Sequence, residues 1–134
     1  MEKMITEVSK LKPGRYMMIE DIPCRITDMV HSKAGKHGGA KFRIEGVGIF
    51  EGTKRSMICI AGAKVEVPVI NKRTAQVLTV LPSGVQMMDS ESFETFELPM
   101  PEEEDIKALI REGAEVMYID VGGRKKIMQA KGGD

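Results

Sequence analysis

The sequence predicts a mostly β protein built of two small barrels in tandem, with one helix in the second. Three observations lead there. Short segments alternating apolar and polar residues, separated by glycine and proline turns, run through most of the 134 residues, which is the pattern of half-buried strands. Only one stretch, Pro99 to Gly113, carries the start and stop signals of a helix. Charge divides the chain near its middle. Residues 1–67 hold twelve Lys and Arg against eight Asp and Glu, a net +4, and residues 68–134 hold eight against twelve, a net −4.

In the first half, Lys12-Pro13-Gly14 turns the chain into a strand over Tyr16–Ile19, and Ile22-Pro23 leads into the alternation from Cys24 to Met29. A glycine- and lysine-rich interval follows. Lys41-Phe42-Arg43-Ile44-Glu45 alternates in its turn, Gly46 and Gly48 punctuate it, and the turn at Gly52-Thr53-Lys54-Arg55 leads into Ser56–Ile60. A further strand, Ala63–Val67, ends at Pro68. Strands of this number and shortness, with no helical period among them, close most economically into a small barrel, which leaves few sheet edges exposed.

Pro68 cannot donate to a sheet ladder and holds Val67 extended, so the hinge is placed there, with one domain over 1–67 and the other over 68–134. Beyond it, Ala75–Leu81, Val85–Met88 and Phe93–Leu98 read as three strands, the first two joined through Pro82-Ser83-Gly84. Pro99 to Pro101 then opens the helix. Four acids, Glu102 to Asp105, favour its positive end, Ile106, Leu109 and Ile110 give it an apolar stripe, and Gly113 stops it. Glu115–Val121 and Arg124–Gln129 flank Gly122-Gly123 as a closing hairpin. Three strands, a helix and two strands is the order of an OB-fold, a partly open five-stranded barrel often used on nucleic acid. Fold by itself does not assign that use.

Composition narrows the function classes. No apolar run reaches the roughly 18 residues of a membrane span, and the N-terminus lacks the basic and apolar regions of a signal peptide, so a cytoplasmic protein is expected. Cys24 and Cys59 lie among isoleucines, where thiols serve as small core hydrophobes, and a disulfide is disfavoured. Two cysteines without a CxxC pair, with histidines only at 31 and 37, do not make a zinc pattern. No Ser-His-Asp grouping or paired-carboxylate motif emerges, so an enzyme is not expected. Between Asp28 and Glu45 there is no acid, while Lys33, Lys36, Lys41 and Arg43 all fall in that interval. A basic focus on a chain of zero net charge points to a polyanion met at one place.

That interval, His31-Ser32-Lys33-Ala34-Gly35-Lys36-His37-Gly38-Gly39-Ala40-Lys41, carries the chemistry. Three glycines in five residues permit a projecting tip, and Lys36 stands at it with few bulky neighbours. An exposed lysine keeps its charge. A phosphate-binding P-loop is excluded because Lys36 is followed by His37, Val30 stands where its first glycine belongs, and a strand rather than a helix follows. From the residues alone, a solvated hairpin loop kept soluble by its lysines remains an alternative.

The run from Ser32 to Lys41 resembles the hypusine loop of the archaeal and eukaryotic initiation factor five A family, in which S-K-[TA]-G-K-H-G-x-A-K surrounds a modified lysine. The resemblance continues through Gly48-Ile49-Phe50, the turn at Gly52-Thr53-Lys54 and the Val67-Pro68 junction. Gly39 departs from it, standing where eukaryotic members carry a second histidine. The resemblance implies an SH3-like first barrel and an OB-fold second. It implies that Lys36 is converted to deoxyhypusine or hypusine by deoxyhypusine synthase, with spermidine supplying the aminobutyl group, and that no cofactor stays bound. It further implies a monomeric factor that binds the ribosome. There the modified Lys36 reaches the acceptor end of the P-site tRNA and helps form difficult bonds, such as those between consecutive prolines, and release peptides. Lys33, Lys41 and Arg43 are then expected against RNA phosphates, with Gly35 and Gly38 freeing the tip. His37 either contacts RNA or simply faces water. The competing expectation is a generic OB-type RNA or single-strand nucleic-acid-binding protein with an unmodified loop.

Other residues read as structural. Tyr16, Phe42 and Phe50 alternate within or beside strands, as core aromatics do, and eight methionines, Met17, Met18, Met29, Met57, Met87, Met88, Met117 and Met128, read as core filler. Lys72-Arg73 and Arg124-Lys125-Lys126 are either added RNA contacts or ordinary surface charge.

Overall fold

The computed structural model describes residues 1–33 and 39–131, and its chain divides into two compact units, Met1–Val69 and Ile70–Asp134. Both are mostly strand, as the alternating segments predict.

The first unit contains β1 (Lys3–Glu7), a single 3-10 turn (Val8–Lys10), β2 (Tyr16–Ile19), β3 (Ile22–Ser32), β4 (Lys41–Gly48), β5 (Lys54–Ile60) and β6 (Lys64–Pro68). Strands β2, β3, β4 and β5 form an antiparallel meander, and β1 pairs with β6. Val8, Met17, Ile19, Cys24, Ile26, Ile44 and Val65 fill the space they enclose, with Met29, Phe42, Met57 and Cys59 packed against them. Both cysteines are free, and burial pushes each thiol pKa up. Strand β1 escapes the sequence pattern because Met4 and Ile5 are both exposed, so it has no alternation to read.

Pro68 is the last residue of β6, opposite Lys3, and Val69 N–H continues the contact by donating to Glu2 O at 3.1 Å. Among the described residues β6 is hydrogen-bonded to β1 alone, so the donor missing from proline leaves no gap in a ladder. The division between the units falls after Val69.

Two details of the meander set up the site. Glu20 and Asp21, the two residues between the paired Ile19 and Ile22, have φ of 53° and 63°, the mirror-image turn whose twist matches the strands it joins. In β3 the register passes from Ile26↔Gly46 to Asp28↔Glu45, which leaves Thr27 unopposed. Its hydroxyl donates to Glu45 O at 3.2 Å. The extra residue breaks the alternation expected from Cys24 to Met29. Before it, Cys24 and Ile26 face the core; after it, Met29 does.

The second unit contains β7 (Asn71–Leu81), β8 (Gly84–Asp89), β9 (Thr95–Leu98), α1 (Glu104–Lys107), β10 (Glu115–Val121) and β11 (Arg124–Lys131). The sheet order is β11-β10-β7-β8-β9, and the edge strands β9 and β11 also touch, as a five-stranded barrel requires. Ala75, Val77, Val85, Met87, Leu98, Ile110, Val116, Tyr118 and Ile127 form the core. Gly122 and Gly123, both at positive φ, make the expected closing hairpin.

The helix is shorter than its sequence signals suggest. Only Glu104–Lys107 is α-helical, and the next bonds, Leu109 N to Ile106 O and Ile110 N to Lys107 O, are tightened to i→i+3. Ile110 is buried and Leu109 exposed, so the stripe has too few anchored positions to sustain further turns. Gly113 at φ +84° ends the segment, and its N–H donates to Val77 O at 2.9 Å.

Gly84 marks a close approach, because a Cβ there would lie 2.6 Å from Leu98 O on the neighbouring strand. Gly84→Ala is therefore expected to pry β8 from β9 and lower stability by about 1–3 kcal/mol. Urea unfolding followed by circular dichroism reads this directly.

Candidate functional site

Strands β3 and β4 pair as far as Ser32↔Lys41, and β5 extends the support through Lys41↔Ile60. Ala61 N–H adds a bond to Ala40 O at 2.8 Å, beyond the last strand residue. The connection between β3 and β4 is thus rooted on three strands. One rung below the root, the His31 ring stacks on Phe42 with centroids 4.6 Å apart and planes 19° apart. Phe42 packs against the core, so His31 ties the root to the barrel interior. The sequence reading places His31 in the loop; it is instead an exposed strand residue, which the Thr27 bulge sets on the face of the sheet that carries Phe42.

Of the expected site residues, Gly35, Lys36, His37 and Gly38 lie outside the described residues. Lys33, Lys41 and Arg43 are all exposed and flank the connection. Arg43 sits opposite Val30 on one side and Ile58 on the other, and Lys41 opposite Ser32 and Ile60, so the two cations share the outer face of the sheet. Arg43 approaches Glu45 at 3.3 Å. Exposed pairs of this kind contribute at most about 1 kcal/mol, so the guanidinium can exchange that partner for a more strongly charged anion. At Gly39 an added Cβ would meet nothing within 4 Å. A histidine there, as in eukaryotic members, would meet no obstacle at its first carbon.

Tyr16, Phe42, Phe50 and the eight methionines expected in the core are all buried or half-buried. Met17 and Met87 are fully buried, and Tyr16 and Phe50 are half-buried. The basic pairs of the second unit divide. Lys72 is exposed, but Lys125 lies over the Phe96 ring at 5.4 Å and near Asp120 at 3.9 Å. Arg73 forms a two-pronged bond to Asp89, Nε to Oδ2 at 2.8 Å and Nη2 to Oδ1 at 3.1 Å.

Asp89 is the polar centre that sequence reasoning missed. It is 1% exposed and also accepts from Tyr118 Oη, Glu91 N and Ser92 N. The Arg73 hydrogen bonds hold its carboxyl far below the usual carboxylate range against the opposing effect of burial, with Tyr118 and the two backbone donors helping. Burial, and then the bond to Asp89, pushes Tyr118 up to about 12. Arg73 and Tyr118 stand 16 and 29 residues from Asp89, a separation at which no local pattern links them.

Comparison with known proteins bears on both units. Residues 2–62 match the family model described as "Translation initiation factor 5A-like, N-terminal", and residues 69–131 match "Eukaryotic elongation factor 5A hypusine, DNA-binding OB fold". The chain belongs to the translation initiation factor 5A family. Among its relatives, translation initiation factor 5A of Pyrococcus furiosus is 53% identical, over 98% of this chain and 96% of that one. The Methanothermobacter thermautotrophicus factor is 46% identical over 98% of this chain and all of its own length. Among solved structures, initiation factor 5A from Methanococcus jannaschii superposes with a TM-score of 0.88 at 43% identity, covering 96% of this chain and 95% of that one. An initiation factor 5A family protein from Naegleria fowleri gives 0.73 at 29% identity, covering 96% and 98%. The SH3-like barrel and OB-fold anticipated from the sequence are thus those of the 5A family, and the loop motif lies inside the span of its N-terminal model. Membership implies work with the ribosome. No helix among the described residues is long and apolar enough to cross a membrane.

Proposed function

We propose that this initiation factor 5A protein acts in the cytoplasm as a non-enzymatic ribosomal factor, with Lys36 as the residue converted to deoxyhypusine or hypusine. In this reading deoxyhypusine synthase joins the aminobutyl group of spermidine to the Lys36 amine, lengthening the cation and adding a second amine. Lys36 is a substrate and not a catalyst, and the factor holds no cofactor of its own. The modified side chain steadies the acceptor end of the P-site tRNA, and the ribosome carries out the chemistry of bond formation between poor reactants and of peptide release. Holding reactants in orientation can remove several kcal/mol of a barrier, so positioning is a sufficient mechanism. Lys33, Lys41 and Arg43 neutralise nearby phosphates, and the chain acts as a monomer.

The observation that carries this reading is the family's loop motif set at the end of a hairpin rooted on three strands, with exposed cations on its flanks. Intact-mass measurement and peptide mapping of protein from its native host test it. An aminobutyl adduct on Lys36 is expected, and a consistently unmodified Lys36 would favour a generic RNA-binding OB protein. A second measurement bears on the flanks. Changing Lys33 and Lys41 together to Ala is expected to weaken binding to ribosomes and reduce the slope of log affinity against log salt by about 1–2, since each phosphate contact contributes close to one unit. An unchanged slope in titrations at several ionic strengths removes both lysines from the RNA contact.

A further inference from the structure

We propose that Phe93 and the acidic turn bearing it form a docking point for a basic protein surface, a second contact separate from the Lys36 loop. The turn between β8 and β9 is fixed to an unusual degree. Every backbone N–H from Asp89 to Glu94 is used: Asp89 N to Glu94 O at 2.9 Å, Ser90 N to Thr74 O at 3.0 Å and Phe93 N to Asp89 O at 3.0 Å. Glu91 N and Ser92 N go to Asp89 Oδ1 at 2.8 and 2.9 Å, and Glu94 N to Ser92 Oγ at 3.3 Å. Arg73 and Tyr118 clamp the Asp89 carboxylate from beneath.

On this rigid turn stands a side chain that the turn does not need. Phe93 has φ +62° and is 67% exposed. A bulky residue in the left-handed region carries a conformational penalty that Gly or Asn would avoid. Leaving a phenyl ring in water adds a second penalty. Neither is offset by packing within the unit. Both are offset if the ring enters a pocket elsewhere, and a side chain already held outward loses little freedom on binding, which is how an aromatic comes to dominate an interface.

Charge selects the occupant. No Lys or Arg occurs between Arg73 and Lys107, whereas Glu91 and Glu94, both exposed, flank Phe93 in the turn. Such a site repels the phosphates of nucleic acid and of anionic lipid. It suits an apolar pocket rimmed by Lys and Arg on a protein.

The test uses salt-washed large ribosomal subunits as the probe, and so rests on the reading that the factor works on the ribosome. With p-benzoylphenylalanine at position 93, irradiation is expected to join the factor to a ribosomal protein. Phe93→Asn is expected to weaken binding about tenfold or more while leaving the melting temperature unchanged or raised, because Asn tolerates the left-handed conformation. Crosslinking to rRNA alone, affinity within twofold of wild type, or a melting temperature lowered by the substitution would each overturn the proposal, as would wild-type factor that does not bind the subunits. Failure of the Lys36 reading is seen separately, as the missing mass adduct, and Lys36→Arg is expected to leave the crosslink at position 93 intact.

Discussion

In a reconstituted translation system, factor carrying Lys36→Arg is expected to stimulate synthesis across consecutive prolines no better than buffer, although it folds like wild type. Arginine keeps the positive charge but has no primary amine to accept an aminobutyl group, so the variant separates charge from modification. The fold should be indifferent to the change. The strands beside the loop are held by the Ser32↔Lys41 rung, the His31–Phe42 stack and the Ala61–Ala40 bond, none of which involves position 36. A loss of tenfold or more in rate corresponds to about 1.4 kcal/mol of barrier, well within what orientation can supply. Unmodified wild type made in a host lacking the modifying enzyme should match the variant. Equal stimulation by Lys36→Arg and by modified wild type would end the proposed role.

The largest effect on stability is expected at Asp89. Asp89→Ala would strand the Tyr118 hydroxyl in the core, leave Arg73 without its carboxylate and free the N–H groups of Glu91 and Ser92. Removing one member of a buried pair costs about 3–5 kcal/mol. Because the Arg73 side chain is 36% exposed and water can reach it, the expected loss lies near the lower end, about 3 kcal/mol. Acid adds a signature. The folded carboxyl sits far below its unfolded value of about 3.9, so its contribution is complete above that pH. It is lost as the pH falls further, because the unfolded chain takes up a proton that the folded one refuses. Urea midpoints of wild type and Asp89→Ala should therefore converge below about pH 4. Tyr118 has the opposite sign at the other end of the scale. Its contribution is present below about pH 10, the unfolded value, and lost as the pH rises toward about 12. Midpoints that keep their separation down to pH 2 would show that the carboxylate's charge is not what stabilises the turn.

These two predictions differ in how visible their residues are in the sequence. Lys36 stands out because glycine, lysine and histidine crowd a short interval that cannot form a regular element. Asp89 is an ordinary acid after a strand, and its partners arrive only when β7 and β10 pair side by side, bringing Arg73 opposite Tyr118. The strands were legible where one face is buried, as in β5 with its strict alternation. They were illegible where neither face is, as in β1. Phe93 reads as the first residue of a strand because aromatic residues favour strands, yet the hydrogen bonds of the turn extend to Glu94 and the strand begins at Thr95. Period-two patterning also cannot disclose an added residue. The unopposed positions at Thr27, Leu78 and Met128 all lie inside segments whose composition is that of ordinary strand.

The unopposed Thr27 limits how this hairpin can change length. Whatever lies between it and the tip inherits its orientation by counting, so removing or inserting a single residue there swaps inside for outside along the whole arm. Phe42 would then meet Val30 or Ser32 in place of an imidazole, and an aliphatic chain would turn inward. Length changes beyond Thr27 preserve the arm only in steps of two, and a family using this hairpin at different reaches would lengthen it by whole rungs.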